Sequence, residues 1–211
     1  MTKSITVQAN TLPTLPARTL SLLACWLLVT VVMVSLSGCS QQLQRQTCVT
    51  LASNLDYCLA PISQAITADA YSQTVEFTHD EKSHQLLTEL QIDHQTMTLV
   101  GLAPLGQPLF TIVYDGDTIL SQQSSLLGEQ FKAEYLMAML QLAYWPLEEV
   151  NQSLSNGQYR QVPCEYALCR QLIDNNQRVI EVNYSKQDPL MADIEMNINQ
   201  ANVHIKIQRL Q

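Results

Sequence analysis

Between Tyr71 and Leu210, apolar residues fall at every second position in one stretch after another. That period restricts the chain to a sheet with one dry face and one wet face. In "HQLLTELQI", Leu86, Thr88, Leu90 and Ile92 share one side and Glu89, Gln91 and Asp93 the other. "MTLVGL" continues with Met97 and Leu99 inward. "LFTIVYDGDTIL" places Phe110, Ile112 and Tyr114 together, then offers Asp115-Gly116, which tolerates the positive φ of a tight hairpin. "YSQTVEF" reads as a further strand, and Ile180, Val182 and Tyr184 alternate with Glu181 and Asn183. The clearest hairpin is "MADIEMNINQANVHIKIQRL": Ile194, Met196 and Ile198, then Val203, Ile205 and Ile207, with the turn near 199–202.

The period changes once. Phe131, Tyr135, Leu136, Met139 and Leu142 recur at three- and four-residue steps, which predicts a helix over 129–144 with an apolar stripe. Glu129 and Glu134 suit its N-terminal dipole, and Pro146 after Trp145 favours its end. "LEEVNQSLSNG" suggests a second short helix. The expected class is therefore mainly β with helices (α+β): a curved antiparallel sheet or incomplete barrel covered by one or two helices.

Upstream, Lys3 and Arg18 precede the apolar run Leu20 to Leu36, and "LSGC" follows. A basic region before a short apolar core is the pattern of an export signal; a plain membrane-spanning anchor is the competing reading. "LSGC" resembles the lipobox of bacterial lipoproteins, in which the cysteine becomes a diacylglycerol-bearing N-terminus. By that resemblance residues 1–38 are a signal peptide, Cys39 is the lipid attachment, 39–47 a lipidated tether and 48–211 one domain. Two acyl chains hold a protein stably where one is marginal. Ser40 stands where an Asp commonly retains enteric-type lipoproteins in the inner membrane, so the resemblance implies the bacterial outer membrane, with the domain facing the periplasm. The segment 40–47, "SQQLQRQT", is polar and aperiodic, and "CVTLASNLDYCLAPI" is read as an irregular arm.

Of six cysteines, Cys25 would leave with the signal and Cys39 would be acylated, leaving Cys48, Cys58, Cys164 and Cys169. An even set in an oxidising compartment suggests two disulfides with three possible connectivities. Cys48 with Cys58 and Cys164 with Cys169 is preferred because each closes a short loop. Metal binding competes weakly, since the spacings are not the tight pairs of a zinc site.

The net charge is −8 and becomes more acidic once Lys3 and Arg18 are removed, which gives no electrostatic reason to bind nucleic acid. No G-x-S-x-G, H-E-x-x-H or glycine-rich phosphate loop is present, so neither a catalytic residue nor a cofactor is assigned. His94 and His204 fall on outward strand positions, and Asp80-Glu81 and Glu148-Glu149 are adjacent pairs suited to a solvated surface. The distinctive stretch is "YLMAMLQLAYWP". Its methionines either fill irregular gaps in a core or, with Tyr144 and Trp145, line an adaptable pocket for an acyl chain.

The order of elements resembles the LolA/LolB lipoprotein carrier and receptor fold. A nearer likeness, carried by "VGLAPLGQPLFTIVYDG", "LQLAYWP" and "IEMNINQANVHIKI", is to an uncharacterised proteobacterial family of LolB-like outer-membrane lipoproteins. The resemblance implies a sheet whose concave, apolar side is covered by helices. In the receptor an exposed leucine between strands assists transfer to the membrane; by location the candidates are Leu102 and Leu105. The cysteine-bearing segments depart from the receptor pattern. Some relatives are associated with aryl-polyene lipid production, which implies handling of such products.

The leading expectation is a non-enzymatic protein, held to the membrane through its N-terminal lipid, that binds or transfers an acyl-chain-bearing lipid or lipoprotein. The wall expected is Leu90, Ile92, Met97, Leu99, Phe110, Ile112, Leu136, Met139, Tyr144 and Trp145. The alternative is a structural or assembly lipoprotein that docks a periplasmic protein partner. An enzyme acting on an envelope precursor would need a convergent polar group at the cavity rim.

Overall fold

A computed structural model describes residues 42–80, 82–128 and 131–210. The expected signal segment and Cys39 lie outside the described residues, and so do Glu129 and Gln130. The fold is mainly antiparallel β with two α-helices. Among the described residues thirteen strands follow one another: β1 Gln42–Arg45, β2 Cys48–Ala52, β3 Leu55–Cys58, β4 Asp69–His79, β5 Lys82–Ile92, β6 Met97–Leu102, β7 Pro108–Tyr114, β8 Ile119–Gln123, then after the helices β9 Gln158–Gln161, β10 Leu168–Asp174, β11 Gln177–Tyr184, β12 Ile194–Ile198 and β13 Val203–Arg209. The helices are α1, Ala133–Tyr144, and α2, Leu147–Gln152.

Eleven strands form one open sheet in the order β1-β8-β7-β6-β5-β4-β13-β12-β11-β10-β9, while β2 and β3 pair separately. The chain lays down strands outward from β4 in one direction, passes through the helices, and returns from the far edge until β13 closes against β4.

Hairpin chemistry sets much of the register. Asp93 Oδ1 accepts the N–H groups of Gln95 and Thr96, and its Oδ2 accepts the Thr96 hydroxyl. Asp115 does the same with Asp117 and Thr118 at the next hairpin. An Asp that caps its own turn competes well with an extended chain. Between β10 and β11, Asn175 and Asn176 take φ of 48° and 61°, the mirror-turn geometry matched to strand twist.

The inward faces of β4 to β13 converge on α1. Strands from β7 to the β9 edge all reach it, although eight strand spacings measure roughly 38 Å and a helix is only about 10–12 Å across. The sheet therefore curves around the helix. The β2–β3 hairpin covers the opposite side, burying Val49, Leu55 and Tyr57. Ten of the twelve residues of α1 are consequently buried. A helix apolar on all sides belongs in the middle of a structure, and "AEYLMAMLQLAY" is such a sequence.

The C-terminal carbonyls of a helix need partners when no water reaches them. Tyr159 of β9 donates its hydroxyl to the Leu142 carbonyl, Tyr184 of β11 to Ala143, and Arg170 of β10 donates to Trp145, at 2.7, 2.7 and 2.9 Å. Arg170 also brings a cation to the negative end of the dipole.

Several expectations are corrected. Within the segment read as an aperiodic tether, Gln42–Arg45 pairs with β8 as an edge strand. The arm read as irregular forms a two-stranded hairpin, bulged between Thr50 and Ala52, with Cys48 directly opposite Cys58. The helix begins at Ala133, and Tyr135 faces outward, since the carbonyl of Thr50 supplies its hydroxyl with an acceptor at 3.1 Å. The C-terminal part holds five strands where three were expected, because β9 and β10 carry too few inward apolar residues to show the period.

Candidate functional site

Beneath α1 lies an apolar cavity of about 50 Å³. Val75, Leu86 and Leu99 of β4 to β6 form its floor, with Ile205 and Ile207 of β13 and Met196 of β12 beside them. Leu136, Met139 and Leu140 of α1 form the roof, and Phe110 closes one end. The periodicity explains the placement: residues two apart on a strand share a face, and residues three and four apart on a helix share a stripe.

Phe110 is positioned by a missing side chain. A Cβ at Gly101, its register partner, would sit 2.3 Å from the Phe110 ring, so glycine lets the ring lie flat across the neighbouring strand. There it packs against Phe131 with 4.9 Å between centroids and the ring planes tilted by 36°. Partly buried Phe77, Phe131 and Val203 pack against the same core beyond the cavity wall. Two wider depressions, about 700 and 540 Å³, lie among Asn, Asp and Gln residues at hairpin ends. They are open and polar, whereas sites for apolar ligands are concave and apolar with a few placed polar groups.

Of the expected wall, Leu99, Phe110, Leu136 and Met139 line the cavity. Leu90, Ile92, Met97 and Ile112 sit in the packed core next to it. Tyr144 is also buried and touches the site indirectly, as its hydroxyl accepts from Gln73 Nε2 at 2.7 Å. Trp145 is fully buried and donates its indole N–H to the Pro61 carbonyl at 3.0 Å, a role in fixing the helix exit. The sequence reading missed Gln73, Val75, Leu86, Thr88, Leu140, Met196, Ile205 and Ile207 as wall residues. Apart from the polar Gln73 and Thr88, the signal was present in the inward phase of their strands and, for Leu140, in its four-residue step from Leu136.

Inside the cavity wall, Gln73 of β4 faces Thr88 of β5 across the ladder, and each is 3% exposed. Gln73 Oε1 and Thr88 Oγ1 have no hydrogen-bond partner. Burial of the tyrosine hydroxyls pushes their pKa up, that of Tyr114 to about 12 with Asp115 and Asp117 adding to the effect, so these side chains stay neutral donors. Among the described residues no group of His, Cys, Asp and Glu is arranged to hold a metal.

Leu102 is half-buried at the end of β6, while Leu105 stands at the tip of the β6–β7 hairpin and is 99% exposed. The turn beneath it is closed by the Gly106 N–H on the Ala103 carbonyl at 2.7 Å, with Gly106 at φ 80°. Disulfides join Cys48 to Cys58 and Cys164 to Cys169. The first staples the hairpin over α1 and the second ties the loop before β10. No helix among the described residues is long and apolar enough to cross a membrane.

These features define an α+β protein with an open antiparallel sheet folded around one buried helix and a small apolar cavity between them. The chain belongs to the family described as "Protein of unknown function (DUF3261)", whose profile matches residues 70–211. No curated protein matches it. The matched segment begins at β4 and contains the whole cavity wall; the β2–β3 hairpin precedes it.

Proposed function

We propose that this protein binds or transfers an acyl-chain-bearing lipid or lipoprotein at the periplasmic face of the bacterial outer membrane, anchored through a diacylglycerol on Cys39. The observation that carries the reading is the cavity between α1 and the sheet, with a wall apolar but for Gln73 and Thr88 and partly buried hydrophobic residues packed against the same core. Its volume is below the about 150 Å³ that accepts a benzene, so a chain enters by displacing the roof. Met139 and Met196, unbranched and with several rotatable bonds, suit that adjustment. The likeness to the LolA/LolB fold supports the same reading, with Leu105 as the residue that meets the bilayer or the cargo. Aryl-polyene-type lipids are one class of cargo consistent with the implied family association.

The small volume favours a second reading, a structural or assembly lipoprotein whose filled core carries a docking surface around Leu105 for a periplasmic partner. Native mass spectrometry of the full chain after gentle extraction separates the two. A retained lipid, beyond the mass of the N-terminal anchor, supports binding; a chain that never carries or takes up lipid from membranes, and is recovered crosslinked to one protein, supports docking.

A further inference from the structure

The cavity is apolar except at one place, and that place is unpaired. Gln73 Oε1 and Thr88 Oγ1 sit on directly opposed residues, both nearly inaccessible to solvent and both lining the same space. Most buried polar atoms find a partner because an unsatisfied one carries the full cost of its desolvation. Here valine and leucine would fit the inward period of β4 and β5 better, and positions that break a local rule in this way concentrate at functional sites.

The chemistry of the missing partner follows from the two atoms. Gln73 Oε1 needs a donor, and Thr88 Oγ1 both donates and accepts. One hydroxyl group can donate to the first and accept from the second. Turning the carboxamide over would replace the unpaired acceptor by an unpaired donor, and a hydroxyl serves that arrangement as well. A charged group is disfavoured, since no cationic side chain lines the cavity. Arg209, the register neighbour of Gln73, turns its guanidinium onto the Tyr71 ring at 4.8 Å and donates to the Leu190 carbonyl.

Resting on the lipid-binding reading above, we propose that Gln73 and Thr88 form a polar latch selecting an apolar chain that carries an uncharged O–H group, either an alcohol or a protonated carboxylic acid. Apolar walls supply most of the affinity and the latch supplies the discrimination. The latch also accounts for a threonine at position 88 in spite of its cost to the unliganded fold.

The test uses the full chain in phosphatidylcholine nanodiscs, with tritiated dodecan-1-ol, dodecanoic acid and tridecane, in which a methyl replaces the hydroxyl. Uptake over empty discs is compared between wild type and Thr88→Val, so that partition into the bilayer cancels. The expected result is an alcohol-over-tridecane preference about tenfold larger in wild type, with tridecane uptake unchanged in the variant and a higher melting temperature for the unliganded variant. Dodecanoic acid taken up only at a pH where it is protonated identifies the acid as a source; uptake of the alcohol alone identifies a chain hydroxyl. Equal preference in the two proteins overturns the latch and leaves lipid binding standing. Uptake of no probe by wild type removes the lipid reading and the latch with it. Should Thr88→Val not fold, Gln73→Met carries the same comparison.

Discussion

Gln141 grips Ala60 from both sides: its Oε1 accepts the Ala60 N–H and its Nε2 donates to the Ala60 carbonyl, each at 2.8 Å. The same Oε1 accepts the Tyr57 hydroxyl at 2.7 Å. One buried side chain in the middle of α1 thus satisfies a loop backbone and the β2–β3 hairpin, and holds the covering hairpin against the helix.

Gln141→Leu should be among the most damaging single changes. It leaves the Ala60 N–H and the Tyr57 hydroxyl buried and unpaired, while the Ala60 carbonyl keeps the Tyr114 hydroxyl at 3.1 Å. A loss on the order of 2–4 kcal/mol is expected from two such groups. Urea unfolding of the oxidised protein measures it, and a loss below about 1 kcal/mol would contradict the role.

Gly101→Ala should displace the Phe110 ring, since the added Cβ meets the ring at 2.3 Å. Overpacking of this kind costs about 1–3 kcal/mol. Phe110→Leu removes the obstruction, so the double variant should lose less than the sum of the two singles. Strict additivity in that cycle would mean that the two residues do not meet.

Stability should fall at acid pH through the two Asp-capped hairpins. Backbone N–H donors, helped by the Thr hydroxyl, hold the carboxyls of Asp93 and Asp115 below the ordinary aspartate value. A depressed folded pKa contributes stability that is present above the unfolded value and is lost as pH falls through the folded one. Carbon-detected titration should find both carboxyls ionised below the usual aspartate range, and the Asp93→Asn, Asp115→Asn pair should flatten the acid limb of the pH–stability curve.

Leu105→Asp should leave stability within about 0.5 kcal/mol, because an exposed tip makes no packing contribution. If the tip meets a bilayer, the same change should lower lipid exchange between the protein and vesicles while leaving lipid already bound to the protein in place. Unchanged exchange would remove Leu105 from the transfer role.

The sequence showed the fold best where burial alone decides the residue. β6, β12 and β13 carry inward apolar positions such as Met97, Leu99, Met196, Ile205 and Ile207, and β5 carries Leu90 and Ile92 beyond Thr88, all buried. It showed least where an inward position does another task. Arg170 breaks the period of β10 because it satisfies the Trp145 carbonyl, and β9 offers only Tyr159, whose hydroxyl serves Leu142. β1 has a single apolar residue and is defined by its partner. At the site, alternation placed Thr88 on the inner face, but periodicity carries no information about whether a hydroxyl finds a partner. The helix stripe located Leu136 and Met139 and misassigned Tyr135, because α1 is covered on both sides and its moment is a weak guide to direction.

On the proposed function, an acyl chain occupies the space under α1. Incubating the purified full chain with a diazirine-bearing fatty acid, irradiating it and mapping the adducts by peptide mass spectrometry tests this directly. Adducts are expected on Leu136, Met139 or Leu140 of α1 and on Met196, Ile205 or Ile207 opposite. Adducts confined to the outer surface, with these residues unlabelled, would contradict it.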